Sequence, residues 1–316
     1  MRQTCLNMVY DLAKRDGRAV FIGSDLSPGL LADMKRDMPD RYYMEGITEA
    51  NVIGMAAGLA AEGYVPYVNT IATFITRRCY EQVAVDLCLH DFPVRLIANG
   101  GGLVYAPLGP THLAIEDIAI MRALPNMTVT AVCDAQEMVR LMNSTLDWPH
   151  PIYIRLAKGG DPVVSREELG FTLGKAIPMR RARSRRSVVL MSTGVMTTNS
   201  LAAAETLAKD GIDASVVHFH TIKPLDEETV LEFARDAELV VTVEEGVRIG
   251  GFGSAVTDVL VDTLGTACPP VRRIGLPDEF PHNYGLQDDL FDIYGLMPGQ
   301  IAASVGQAVK QIKKVA

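Results

Sequence analysis

The sequence predicts an α/β protein made of two parallel-sheet α/β domains in tandem. Short apolar runs alternate with segments of helical period through the first half, the signature of a mostly parallel sheet covered on both faces. The alternation breaks near residue 165 and restarts at Ser187. The chain has 316 residues, 48% of them hydrophobic, enough for two cores. These observations set the expected division: one domain over 1–165, a linker or hairpin over 166–186, and a second domain over 187–316.

The elements follow in order. An amphipathic helix is expected over about Thr4 to Arg15, then a strand from Ala19 to Ile22 that ends in Gly23-Ser24-Asp25-Leu26. Tyr42 to Met44 reads as a strand end that turns at Gly46 into a helix capped by Thr48 or its neighbour. Past Thr70-Ile71-Ala72-Thr73-Phe74, a helix runs through Tyr80 to Leu89. Pro93 opens the strand Val94 to Ala98, and Thr128 to Ala131 and Ile152 to Ile154 are further strands. Helices over Glu116 to Arg122 and Ala135 to Leu146 lie between them. Residues 175–186 hold a basic run, Lys175 to Arg186, that reads as a solvated hairpin rather than a nucleic-acid patch. The second series is strand Ser187 to Met191, helix Thr197 to Lys209 ended by Gly211, and strand Ala214 to His218. Asp226 caps the next helix, strand Leu239 to Val243 follows, and Gly250-Gly251-x-Gly253-Ser254 opens another helix. A final helix runs from Pro298 toward Val315.

Composition excludes several classes. Thirty basic against 38 acidic residues leave a net charge of −8, which argues against non-specific nucleic-acid binding. The five cysteines (5, 79, 88, 133 and 268) form no CxxC pair, so neither a zinc site nor a disulfide framework is suggested. Met1 leads straight into the first helix rather than a signal peptide, and no apolar run reaches membrane length. A cytoplasmic protein without membrane or nucleic-acid partners is expected.

The most informative stretch is Glu45 to Ala60. Val52, Met55, Ala56 and Leu59 mark the buried face of its helix, and Glu49 shares that face. A carboxylate there needs a partner, because burying it bare costs several kcal/mol. Gly54, Ala57, Gly58 and Ala60 leave the helix nearly without bulk, so another backbone could approach closely. A second motif, Gly109-Pro110-Thr111-His112, follows the glycine-rich loop Asn99-Gly100-Gly101-Gly102. Taken as residues alone, Glu49 could equally be a helix-terminus carboxylate, His112 a surface histidine and Phe74 a core aromatic.

The string Gly46-Ile47-x-Glu49-x-Asn51-x-x-Gly54-Met55-Ala56-Ala57-Gly58-Leu59-Ala60, followed by Gly63-Tyr64-x-Pro66-Tyr67, resembles the pyrimidine-binding segment of the transketolase family. Ile222-Lys223-Pro224-Leu225-Asp226, Val243-Glu244-Glu245 and Gly250-Gly251-Phe252-Gly253-Ser254 resemble the C-terminal domain shared by transketolases and 2-oxoacid dehydrogenases. A dinucleotide loop is the weaker reading of that last turn, which is not a G-x-G-x-x-G in a first βαβ unit.

The resemblance implies a site and a cofactor, thiamine diphosphate. Glu49 would hydrogen-bond N1′ of the aminopyrimidine, with Phe74 and Ile71 packing on the ring. Arg77 or Arg78 would line the pocket mouth. His112 would face the reacting substrate carbon, and Arg155, at the rim, could meet a substrate phosphate. The family's Gly-Asp-Gly motif and downstream Asn, which hold a divalent metal (Mg2+ or Ca2+) and the diphosphate, do not occur in these 316 residues. The resemblance therefore implies the C-terminal subunit of a split transketolase, with no metal ligands of its own. Its partner is an N-terminal diphosphate-binding subunit, in an α2β2 heterotetramer that moves two-carbon ketol units between sugar phosphates. Alternatives are a 2-oxoacid dehydrogenase β subunit, a deoxyxylulose phosphate synthase-like enzyme, and a non-catalytic relic. The chain departs from ordinary transketolases at Gly100 and Leu108, where the family carries a histidine and an aspartate turned toward sugar hydroxyls. An unusual, modified sugar is expected from that apolar loop.

Overall fold

The computed structural model describes residues 1–316 apart from Asp25, Ser27, Pro28, Arg185 and Ala316. Asp25 of the turn after the first strand and Arg185 of the basic run therefore lie outside the described residues. Strands β1 (Ala19–Gly23), β2 (Tyr42–Met44), β3 (Val65–Ile71), β4 (Arg95–Asn99), β5 (Thr128–Ala131) and β6 (Ile152–Leu156) pair in parallel. A second group follows: β7 (Ile177–Arg180), β8 (Val188–Ser192), β9 (Ala214–His218), β10 (Thr221–Lys223), β11 (Leu239–Val247) and β12 (Val271–Leu276). The first sheet runs β10-β5-β6-β4-β3-β1-β2 and the second β12-β11-β8-β9-β7. Every residue of β1, β4, β5, β6, β8 and β9 is buried, as a sheet with helices on both faces requires.

One short strand ties the halves together. β10 comes from the second half of the chain yet pairs antiparallel with β5 of the first sheet, Thr221 opposite Thr130. The stretch 166–186 is more than a linker, because its β7 pairs antiparallel with β9 at the edge of the second sheet. Ile177 and Met179 turn inward there while Pro178 and Arg180 are half-buried, a period of two. The basic side chains are met by acidic ones: Arg181 by Glu232 at 2.9 Å, Lys175 by Asp226 at 3.4 Å. One core cluster runs through both sheets, from Val129 and Tyr153 to Val189, Val217 and Phe219.

A buried polar seam crosses the same boundary. His218 Nε2 on β9 donates to Glu137 Oε2, 2.8 Å away, and the Cys133 N–H donates to the same oxygen at 2.7 Å. Burial would raise the Glu137 carboxyl, but His218, His220 and the Cys133 N–H outweigh it and bring it down to about 2.

The helix Glu49–Ala61 buries Glu49, Val52, Ile53, Ala56 and Ala60 against the first sheet. Among the described residues, nothing lies within 4 Å of where a Cβ would sit on Gly54 or Gly58, so these glycines bring no second backbone close. Thr48 is the cap residue, but its hydroxyl donates to Glu45 O at 3.0 Å instead of accepting from the helix. Among the described residues, no helix is long and apolar enough to cross a membrane.

Candidate active site

Glu49 stands at the first position of its helix, beside the carboxyl ends of β1 and β3, and is 5% exposed. Its partner is Arg78, whose Nη1 donates to Glu49 Oε2 at 2.8 Å. The chain reaches Arg78 through β3, whose last residue Ile71 is half-buried, and the short helix Ala72–Thr76, which carries Phe74. The Arg78 guanidinium lies 3.9 Å above the centre of the Phe74 ring, a cation–π contact. The Phe74 ring in turn meets the His112 ring edge-on, centroids 5.3 Å apart. Four residues named from the sequence thus form one continuous group: Glu49, Arg78, Phe74 and His112. Ser24, Gly46, Asn69 and Thr70 line a cavity of about 10 Å3 beside Glu49, and the buried Ser24 hydroxyl has no partner among the described residues.

His112 is placed by its loop. Gly109, at φ +76°, takes the left-handed turn that a glycine tolerates, and its carbonyl accepts the His112 N–H at 3.0 Å. Thr111 Oγ1 lies 2.9 Å from His112 Nδ1 and fixes the ring's orientation. Arg77 ties the loop down, donating to Thr111 O at 3.1 Å and pairing with Glu116 at 3.1 Å.

Arg155 is not at a rim, and that expectation is corrected. It lies within β6, 6% exposed, where Nε donates to Asp117 Oδ2 at 2.8 Å. Its Nη2 donates to Glu245 O at 2.7 Å and Ala114 O at 3.1 Å. With these acceptors engaged, its guanidinium is an internal brace with no fork to offer a phosphate. Two other cations face a cavity: Lys158, exposed just beyond β6, and Arg2, half-buried at the start of the first helix. Together with Leu30, Asn99, Gly100 and Tyr105 they line this cavity of about 380 Å3. The sequence signal for Lys158 was a basic residue just past a strand end, overshadowed by Arg155 three positions earlier; Arg2 carried no such signal.

The two departures from the family pattern have different settings. Leu108 is 50% exposed on the loop's tip. Gly100, at φ +74°, lies under the Tyr105 ring, and a Cβ there would sit 2.1 Å from Tyr105 Cε2. A side chain at 100 would require the Tyr105 ring to move, and the backbone to hold a positive φ.

The glycine-rich turn before the helix Phe252–Leu264 is already filled by the chain itself. Glu244 Oε2 accepts the Phe252 N–H and Oε1 the Gly253 N–H, each at 2.8 Å. A carboxylate in the anion position of a helix N-terminus leaves no place for a dinucleotide phosphate. Burial pushes the Glu244 carboxyl up to about 7 despite those N–H groups.

Comparisons with known proteins agree along the chain. Residues 1–160 match the family described as transketolase, pyrimidine binding domain, and residues 178–301 match transketolase, C-terminal domain. The 6-deoxy-6-sulfo-D-fructose transketolase subunit SqwH of Clostridium sp. (strain MSTE9) is 35% identical, over 98% of this chain and 95% of its own length. An apulose-4-phosphate transketolase subunit of Phocaeicola vulgatus is 31% identical, over 98% of this chain and 97% of its own length. A 1-deoxy-D-xylulose-5-phosphate synthase of Caldanaerobacter subterraneus is 35% identical over 96% of this chain, which spans only 48% of that enzyme. A solved structure described as a split gene transketolase, inactive beta4 tetramer, superposes with a TM-score of 0.88 at 32% identity, covering 98% of each chain.

Proposed function

The chain belongs to the transketolase family, and from that premise we propose that it is the C-terminal subunit of a split, thiamine diphosphate-dependent transketolase. Its reaction is the transfer of a two-carbon ketol unit from a ketose to an aldose, both with anionic end groups. The observation that carries the reading is the continuous group Glu49–Arg78–Phe74–His112, a buried carboxylate, an aromatic face and an imidazole at one end of the first sheet. The relatives matched along nearly their whole lengths are named as transketolase subunits, which supports a subunit over a deoxyxylulose phosphate synthase.

The residues suit the cofactor. Glu49 offers a buried carboxylate that can share a proton with N1′ of the aminopyrimidine, and the unpartnered Ser24 hydroxyl lies beside it. Phe74 and Ile71 offer the apolar wall. Thiamine diphosphate, when bound, supplies the nucleophile that opens and rebuilds the ketose carbon–carbon bond. Arg78 must turn away from Glu49 and from the Phe74 face before a pyrimidine can take both places. His112 then moves a proton at the substrate oxygen on the reacting carbon. Lys158 and Arg2 attract the anionic end of the sugar, across the cavity walled by Gly100 and Tyr105.

The diphosphate and its metal ion, Mg2+ or Ca2+, are held by an N-terminal subunit, and two of each chain make an α2β2 assembly. Cys5, Cys79, Cys88, Cys133 and Cys268 are free thiols, which suits a reducing cytoplasm. The test is reconstitution. The purified chain alone should release no aldose from a ketose donor, and adding the diphosphate-binding subunit with thiamine diphosphate and Mg2+ should start transfer. Pyruvate in place of the ketose should give no acyl transfer to lipoyl. Ketol transfer by the chain alone, or preferred turnover of pyruvate, refutes the proposal.

A further inference from the structure

The loop that carries His112 is closed on itself and then gripped from the other sheet. Gly102 N donates to Ala114 O at 2.9 Å and Ala114 N returns to Gly102 O at 3.0 Å, which closes the loop at its base. Just inside that closure, the Leu103 N–H donates to Glu245 Oε1 at 2.7 Å. Glu245 belongs to β11, in the second sheet, and is 3% exposed. The same oxygen accepts from Gln287 Nε2 at 2.7 Å, and the Glu245 carbonyl accepts from Arg155, which also holds Ala114 O. Gly102, at φ +63°, is shaped for this contact: a Cβ there would lie 2.3 Å from Glu245 Cδ. The carboxylate and the missing side chain are two halves of one fit.

The grip extends to the loop's far end. Tyr284 lies against Gly109, where a Cβ would sit 2.6 Å from the ring, three residues before His112. Val247 N donates to Ile115 O at 2.9 Å, just past the loop. β11 and the 284–287 segment therefore touch the loop at its base, its tip and its exit.

We propose that Glu245 is a positioning residue of the C-terminal domain: it holds the 100–115 loop, and through it His112, in register with Phe74 and Glu49. This rests on the reading of His112 as the group that faces the reacting carbon. One Glu245 oxygen is the acceptor for both Leu103 N–H and Gln287, and an alkyl group in its place would leave the Leu103 N–H unpaired inside the protein. A loop that drifts by about 1 Å at a proton-transfer group loses on the order of 10²-fold in rate.

The experiment uses Glu245→Ala, Glu245→Gln and Gly102→Ala in the full chain. Hydrogen exchange of residues 100–115 is read on each chain, and kcat and KM on each chain reconstituted with the diphosphate-binding subunit. Glu245→Ala and Gly102→Ala should speed exchange in that segment by about tenfold or more, while the strands of both sheets keep theirs. Their kcat should fall by about 10–10²-fold with KM for the cofactor held, and Glu245→Gln, which keeps an acceptor for Leu103, should restore both within about fivefold. Unchanged exchange in both the Ala variants overturns the proposal. So does a loosened loop with unchanged kcat, since a carboxylate that only stabilises the fold would lower the melting temperature without touching turnover. If the wild-type complex transfers no ketol unit, the functional reading falls, and the exchange measurements still decide whether Glu245 holds the loop.

Discussion

His220 should make the junction between the two sheets sensitive to acid. It is fully buried on the approach to β10, the strand that attaches the second half of the chain to the first sheet. Its ring stacks on Phe171 at 4.1 Å, Nδ1 lies 2.9 Å from Thr221 Oγ1, and Nε2 has no partner among the described residues. Burial is the largest influence and holds the imidazole down to about 4. Glu137 and Asp226 oppose that shift, and His218 and Arg140 reinforce it. The unfolded value is about 6.5, so the folded protein binds this proton less readily. Stability from the neutral ring is complete above pH 6.5 and is lost as pH falls from there toward 4. Between pH 7.5 and pH 5 the difference amounts to about 2 kcal/mol. The assay is urea unfolding of wild type and His220→Gln at both pH values. Subtracting the two pH-dependent changes cancels the fixed cost of the substitution and the contributions of Glu244 and Glu245, while Glu137, which is coupled to His220, lies near 2 and stays ionised across this range. Wild type should lose about 2 kcal/mol more than the variant on acidification. A difference below about 0.5 kcal/mol would show that the ring gains its proton freely, and that burial does not govern it.

Four further outcomes follow from the site. Glu49→Gln should cut ketol transfer by about 10²–10⁴-fold with the melting temperature held, because the amide cannot share a proton in the same way; a near-normal rate would reduce Glu49 to a helix-terminus carboxylate. Arg155→Ala should act on stability, costing about 3–5 kcal/mol by stranding Asp117 and the Glu245 carbonyl, whereas Lys158→Ala should raise KM for an anionic sugar and leave the unfolding midpoint alone. Leu108→Asp should improve kcat/KM for xylulose 5-phosphate with ribose 5-phosphate relative to deoxy or otherwise modified sugars, by up to about 200-fold. A wild-type complex that already prefers the common pentose phosphates removes the basis for that last expectation.

The alternating pattern made most strands legible, since β1 and β8 are apolar runs that need no partner in the sequence to be seen. β3 escaped notice although it is central, because Pro66, Asn69 and Thr70 interrupt its apolar residues. Pro66 is tolerated there because pairing with β4 begins only at Tyr67. β12 is hidden by Arg272 and Arg273, which an edge strand can leave exposed. β10 could not be read locally at all, since its partner β5 lies some 90 positions earlier. The same limit applies to Arg155. A strand that ends at Leu156 rather than Ile154 takes the arginine inside, and what neutralises it there, Asp117 and Glu245, lies 38 and 90 residues away. By contrast, the demand that Glu49 find a partner was readable from its helical face, and Arg78 meets it.

The neighbours Glu244 and Glu245 show how one strand can serve two domains. Alternation along β11 sends successive side chains to opposite faces. Glu244 turns toward its own domain and closes the N-terminus of the helix Phe252–Leu264, with Gly251 and Gly253 leaving room for it. Glu245 turns the other way and reaches the loop of the first domain, with Gly102 leaving room there. Burial pushes both carboxyls up to about 7, against Arg155 and the N–H groups they accept, so neither is cheap to keep. Replacing Glu244 by an alkyl side chain would strand the Phe252 and Gly253 N–H groups within its own domain. Glu245 instead carries its oxygen across the boundary to the backbone that leads to His112, which is where a cost in stability can be offset by geometry at the site.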